Sequence, residues 1–131
     1  MSSAKAGVIR GTVVHGVKKG RNLGYPTINI SLEEGHNCLS QGVYICRILV
    51  RDEWHNALMH YGVKSMGTSD SQKKFCEVHV FDFHDDTYGE SVTVNLLKKI
   101  RDVRQFDCEE DLIRQIDRDI NTAHNYLSDH A

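Results

Sequence analysis

Proline is nearly absent from this sequence: its 131 residues hold one, Pro26. Acidic side chains are missing altogether from the first 32 positions, the earliest being Glu33. No apolar run approaches the roughly 20 residues that span a bilayer. Met1–Gly7 lacks the hydrophobic segment of a secretory signal. Neither a membrane protein nor an exported one is therefore expected. The four cysteines, Cys38, Cys46, Cys76 and Cys108, are scattered without C-x-x-C spacing, which excludes a zinc ribbon or a redox pair and predicts ordinary thiols in a reducing, cytoplasmic setting. The eight histidines form no H-E-x-x-H, so imidazole-based metal chemistry is not expected; His36, His55, His60, His84, His124 and His130 read as surface or turn residues. Gly11 and Gly16 have Walker A spacing, but Val17 and Lys18 follow where Lys and Ser or Thr should stand, and no helix comes next. The protein-kinase triplets H-R-D and D-F-G are missing too. With no internal repeat or low-complexity tract, the length fits a single domain over 1–131, with 1–7 as a flexible tail.

Charge is unevenly placed. The first 32 residues carry Lys5, Arg10, Lys18, Lys19 and Arg21 unopposed, whereas positions 33–131 hold 11 basic against 18 acidic residues. A local basic, glycine-bearing patch in an acidic chain suits a compact polyanion such as a nucleotide triphosphate better than a long nucleic-acid backbone, so no nucleic-acid partner is expected. That patch leads into Gly20-Arg21-Asn22-Leu23-Gly24-Tyr25-Pro26-Thr27-Ile28-Asn29. Pro26 fixes its own φ and pushes Tyr25 toward an extended conformation, so a stiff strand should follow. Alternation then puts the Thr27 hydroxyl and the Asn29 carboxamide on one face and Ile28 and Ile30 on the other. Two adjacent neutral oxygens suit a hard cation such as Mg²⁺ when phosphates and water complete its shell. An isolated T-x-N would as readily decorate an edge strand; the basic run before it favours a ligand.

Most of the chain reads as strand. Val8–His15 is β-branched; Gly42–Arg51 alternates, with Tyr44, Cys46, Ile48 and Val50 on one apolar face; Trp54–Val63, Phe75–Phe83 and Val92–Ile100 follow. Turn residues separate them at 35–37, 67–70 and 85–89. Only the C-terminal stretch has helical spacing, in Leu112, Ile113, Ile116, Ile120, Ala123 and Leu127, with Asp107 and Glu110 as an expected N-terminal capping box. Five or six strands and one terminal helix, without βαβ alternation, predict a mainly β fold: a closed or nearly closed antiparallel barrel with the helix packed outside.

One strand carries more chemistry than a core needs. In Phe75–Phe83 the residues Cys76, Val78 and Val80 form an ordinary apolar face, while Phe75, Glu77, His79, Phe81 and Phe83 share the other. A carboxylate among aromatic rings is desolvated and pushed toward general-base strength. Taken alone, this strand is explained more simply by a cross-strand ion pair between Glu77 and a Lys or Arg.

Taken in order, these segments resemble the ATP-dependent riboflavin kinases, or flavokinases. The resembling residues are Arg10-Gly11-x-Val13-Val14-x-Gly16, Gly20-Arg21-x-Leu23-Gly24-Tyr25-Pro26-Thr27-x-Asn29, Gly42-Val43-Tyr44, Glu77-Val78-His79, Tyr88-Gly89-Glu90, Ile100-Arg101, Phe106 and the helix with Ile116-x-x-Asp119-Ile120. The resemblance implies a six-stranded antiparallel Greek-key barrel acting on ATP and riboflavin as a monomer, with Mg²⁺ as cofactor, to give FMN and ADP. By position, Glu77 would be the catalytic base and Thr27 and Asn29 the metal ligands. Gly16, Lys18, Arg21 and Tyr88, with Thr27 and Asn29, would hold ATP. Arg101, Arg104, Phe106 and Asp107 would lie on the flavin side.

Two stretches depart from that pattern. Where the family commonly has N-x-G-x-x-P, this chain has His60-Tyr61-Gly62 and no proline; after Arg101, Asp102 and Val103 replace the usual Pro and Glu. Many bacterial relatives also carry an FMN adenylyltransferase domain, for which 131 residues leave no room. A monofunctional kinase or an excised kinase domain is expected. The alternatives are a non-catalytic flavin- or nucleotide-binding sensor barrel, which would need no base at position 77, and a single-strand nucleic-acid-binding barrel, which the overall acidity disfavours.

Overall fold

Alternating sequences bury one face by curling a sheet onto itself, and six such strands are enough to close it. In the computed structural model, which describes residues 7–14, 27–33, 39–65, 72–83 and 86–129, the strands are β1 (Val8–Val14), β2 (Ile28–Leu32), β3 (Gly42–Val50), β4 (Glu53–Ser65), β5 (Gln72–Val80) and β6 (Ser91–Arg101). They are followed by one helix, α1 (Glu109–Asp129). The barrel is closed in the order β1-β2-β5-β4-β3-β6, and every pairing is antiparallel. Strands β3, β4 and β5 are consecutive neighbours and β6 returns beside β3, which is the Greek-key arrangement the resemblance implied. The turns expected at 35–37 and 67–70, and the tail at 1–6, lie outside the described residues.

The interior is filled by the two faces that alternation identified, Tyr44, Cys46, Ile48 and Val50 from β3 and Cys76, Val78 and Val80 from β5, together with Ala57, Met59 and Tyr61 from β4. Fully burying an aliphatic side chain of this size stabilises by about 1.5–3 kcal/mol. Burial pushes the Cys76 thiol up to about 12 and that of Cys46 higher still, so neither is a ready nucleophile. A second apolar cluster lies outside the barrel, where Val43, Ile45, Leu58 and Phe81 meet Ala123 of α1, flanked by Ile120 and Leu127. This is why Gly42–Cys46 is buried on both faces while the end of β3 is not.

Three local details differ from the sequence expectation. Strand β5 ends at Val80, and Asp82, at φ 58°, turns the chain so that Phe83 packs on the barrel-core cluster and against His55 (centroids 4.8 Å apart) instead of continuing the Glu77 face. The β3–β4 hairpin is a two-residue turn, Arg51 and Asp52, both at positive φ, the backbone twist that suits a tight antiparallel turn. Helix α1 opens one residue later than the capping box suggested, since the Leu112 N–H bonds the Cys108 carbonyl at 3.3 Å, placing Cys108 at the cap position; Glu109, Glu110 and Asp111 in the first turn complement the helix dipole. Among the described residues no helix is long and apolar enough to cross a membrane.

Candidate active site

The barrel's outer face is where the candidate residues meet. Pairing of β2 with β5 sets Asn29 opposite Glu77, and pairing of β5 with β4 sets Glu77 opposite His60. Directly opposed antiparallel residues hold their Cβ atoms about 5 Å apart on one face, so the carboxamide, carboxylate and imidazole stand side by side. The row continues through Val43 to Arg101, its partner on β6. Asn29, Glu77 and His60 are each half-buried. Alternation places the side chain of Thr27, two residues before Asn29, on the same side. The Thr27 hydroxyl oxygen is buried and meets no hydrogen-bond partner among the described residues. With the Asn29 carboxamide it places two neutral oxygens on one face.

These donors fit a hard divalent ion. Among the described residues no group of three or more His, Cys, Asp or Glu could hold a metal alone. A cation at Thr27 and Asn29 would need most of its charge balance from phosphate oxygens, as expected for an ion that arrives with a nucleotide.

His60 is the site residue that sequence reasoning placed wrongly, on the surface. It is half-buried beside Glu77, its ring is 5.8 Å from that of Phe75, and its Nε2 is buried with no hydrogen-bond partner among the described residues. Burial lowers its pKa below the usual 6.5; the Arg101 charge lowers it further and Asp119 acts in the opposite sense. Gly62 shapes the same wall, since a Cβ there would come within 2.9 Å of the Phe75 ring. The only hint in the sequence was the departure from N-x-G at position 60.

At the far end of the row, β-bulges in β6 decide the geometry. The β3–β6 register shifts between Val43 and Tyr44 and again between Ile45 and Cys46, which aligns Arg101 with outward-facing Val43. Arg101 therefore faces α1, where its Nε and Nη2 donate to both carboxylate oxygens of Asp119 at 2.8–3.1 Å. Both side chains are largely buried, at 14% and 7% exposure. Arg101, expected on the flavin side, is thus engaged by the helix. Arg104 lies with its guanidinium carbon 5.0 Å from the centroid of the Phe106 ring, and both line a cleft of about 330 Å³ with Asp107 and α1.

Tyr88 is exposed in the turn before β6. That turn is tied to β1 by Gly89 N–H to the Val13 carbonyl and Val13 N–H to the Glu90 carbonyl, both 2.9 Å. Arg51 clamps it with a bidentate ion pair to Glu90 and a 2.8 Å bond to the Asp86 carbonyl. The next residue of β1, Val14, pairs with Asn29, so Tyr88 and the oxygen pair flank one strand end. Gly16, Lys18 and Arg21 fall outside the described residues.

A closed Greek-key barrel that sets a neutral oxygen pair and a carboxylate across one strand boundary is an architecture distinct from P-loop and protein-kinase designs. The profile of the flavokinase family, riboflavin kinase, matches residues 4–127, and the chain belongs to that family. Among curated relatives, the RNA-binding riboflavin kinase RibR of Bacillus subtilis is 41% identical over 114 residues, 87% of this chain and 48% of that protein. The bifunctional riboflavin kinase/FMN adenylyltransferase of the same organism is 33% identical over 92% of this chain and 38% of its own length. The chain thus spans about half or less of these relatives, and the RNA binding in one name is a property of that protein. Among solved structures, a Streptococcus pneumoniae protein described as a macrolide-efflux protein superposes with a TM-score of 0.83 at 36% identity, over 90% of this chain and 38% of that one. The riboflavin kinase of Trypanosoma brucei shares the fold, with a TM-score of 0.65 at 23% identity over 92% of this chain and 79% of that one.

Proposed function

We propose that this protein transfers the γ-phosphoryl group of ATP to the ribityl 5′-hydroxyl of riboflavin, forming FMN and ADP. The observation that carries this reading is the direct cross-strand pairing of Asn29 with Glu77, supported by membership of the flavokinase family. Thr27 and Asn29 would hold Mg²⁺, which supplies charge neutralisation at the β- and γ-phosphates. Glu77 accepts the proton of the attacking hydroxyl as the new P–O bond forms and the bond from the γ-phosphorus to the β–γ bridging oxygen breaks; the electron pair leaves with ADP. For a loose phosphoryl-transfer transition state, orienting that hydroxyl matters as much as removing its proton. Gly16, Lys18 and Arg21 would close over the phosphates, Tyr88 would lie beside the adenine, and Arg104, Phe106 and Asp107 would border the isoalloxazine.

The test is turnover of riboflavin with MgATP, resolved by chromatography, for the parent and Glu77→Gln. The parent should yield FMN and the variant should lose about 10²–10⁴-fold in kcat while still binding riboflavin. Riboflavin binding by the parent without turnover would instead identify a sensor barrel.

A further inference from the structure

A buried ion pair such as Arg101–Asp119 is weak evidence of stabilisation, because an apolar pair of similar volume often serves as well. Its other contacts show what it supports. Asp119 Oδ1 also accepts a bond from Gln115 Nε2 at 3.0 Å, and Gln115 Oε1 accepts one from Arg104 Nη1 at 2.6 Å. Gln115 and Asp119 are one helical turn apart on α1, whereas Arg104 belongs to the loop between β6 and the helix. The carboxamide thus connects a rigid, strand-anchored pair to a loop that has no regular structure of its own. We propose that Gln115 is a positioning residue for this loop, holding the Arg104–Phe106 pair over the 330 Å³ cleft and so setting the affinity for riboflavin.

The chemistry of position 115 is demanding. It must donate to a carboxylate and accept from a guanidinium at once. Glutamate there would keep Arg104 but repel Asp119, and lysine would do the reverse. Without this tether, the energy of ordering a solvent-exposed Arg104 side chain has to be supplied when the flavin binds, which weakens binding without altering the reacting groups. Gln115 lies on α1, apart from the row that holds Asn29 and Glu77, so its effect should separate from that of the nucleotide side.

This inference rests on the reading of Arg104, Phe106 and Asp107 as bordering the flavin. The full chain carrying Gln115→Met, close in length but unable to make either bond, should show a riboflavin KM raised roughly tenfold, the scale of a lost charge-assisted hydrogen bond. Its kcat and ATP KM should stay within about twofold of the parent. Arg104→Ala should raise the riboflavin KM similarly, and the double variant should add little more, because the two act as one unit. Gln115→Glu should fall between parent and Gln115→Met, and it carries the test if Gln115→Met does not fold. An unchanged riboflavin KM, additive single effects, or an equal rise in the ATP KM would overturn the positioning role while leaving the kinase reading intact. A parent protein that forms no FMN overturns both.

Discussion

His60 shows how far a residue's chemistry depends on its neighbours. As one letter among eight histidines it predicts a surface group; opposite Glu77, beside Phe75 and within the field of Arg101 and Asp119, it is a half-buried imidazole whose pKa is lowered, chiefly by desolvation. Its folded pKa lies below the unfolded value of 6.5, so the unfolded chain binds more protons and stability rises with pH in that window. Acidification from pH 7.5 through 6.5 toward the folded pKa should therefore lower the urea midpoint. His60→Asn should flatten this slope, and parallel slopes for parent and variant would count against a lowered pKa at His60. By contrast, the Thr27/Asn29 and Glu77 faces were legible from the period of two alone, because each is a property of one short segment of chain. That Asn29 and Glu77 oppose each other was not, since register is a property of two strands together.

At the level of elements, the helix was legible as an amphipathic segment, yet Asp119 sits buried within its apolar stripe. No periodicity explains a charge there; the two bulges in β6 do, by turning Arg101 toward it. Asp119→Leu should leave Arg101 buried and unpaired and cost about 3–5 kcal/mol in urea unfolding. The double variant Arg101→Met/Asp119→Leu should recover most of that loss. Recovery of stability without recovery of the riboflavin KM would separate the pair's part in folding from its part in supporting Gln115. The contact between α1 and the barrel is tight at Ala123, which is fully buried against the outer cluster. Ala123→Leu should cost about 1–3 kcal/mol through overpacking, measurable as a lowered melting temperature with little change in the ATP KM.

For the whole molecule, closure of the barrel is the step on which the site depends. Strand β2 carries Asn29 and is held between β1 and β5, and Gly11 permits its close approach: a Cβ there would lie 2.5 Å from both Ile30 Cγ2 and the Ser31 carbonyl oxygen. Gly11→Val should force β1 and β2 apart. The expected outcome is faster amide exchange in both strands together with loss of FMN formation, although no residue of the row through Asn29 and Glu77 has changed. Retained exchange protection with full activity would show that the strands can absorb the side chain.

The sequence by itself determined which faces of the strands are apolar, that one amphipathic helix ends the fold, and, through the resemblance it carries, the Greek-key order and the family. These are local periodicities and short motifs, encoded within single segments. The tertiary structure alone decided that Asn29, Glu77 and His60 share one row, that Arg101 turns to the helix, and that Gln115 connects the helix to the loop before it. Each of those facts arises from register, bulges or packing between segments distant in the chain, where the energy belongs to the pair and neither partner's sequence specifies it.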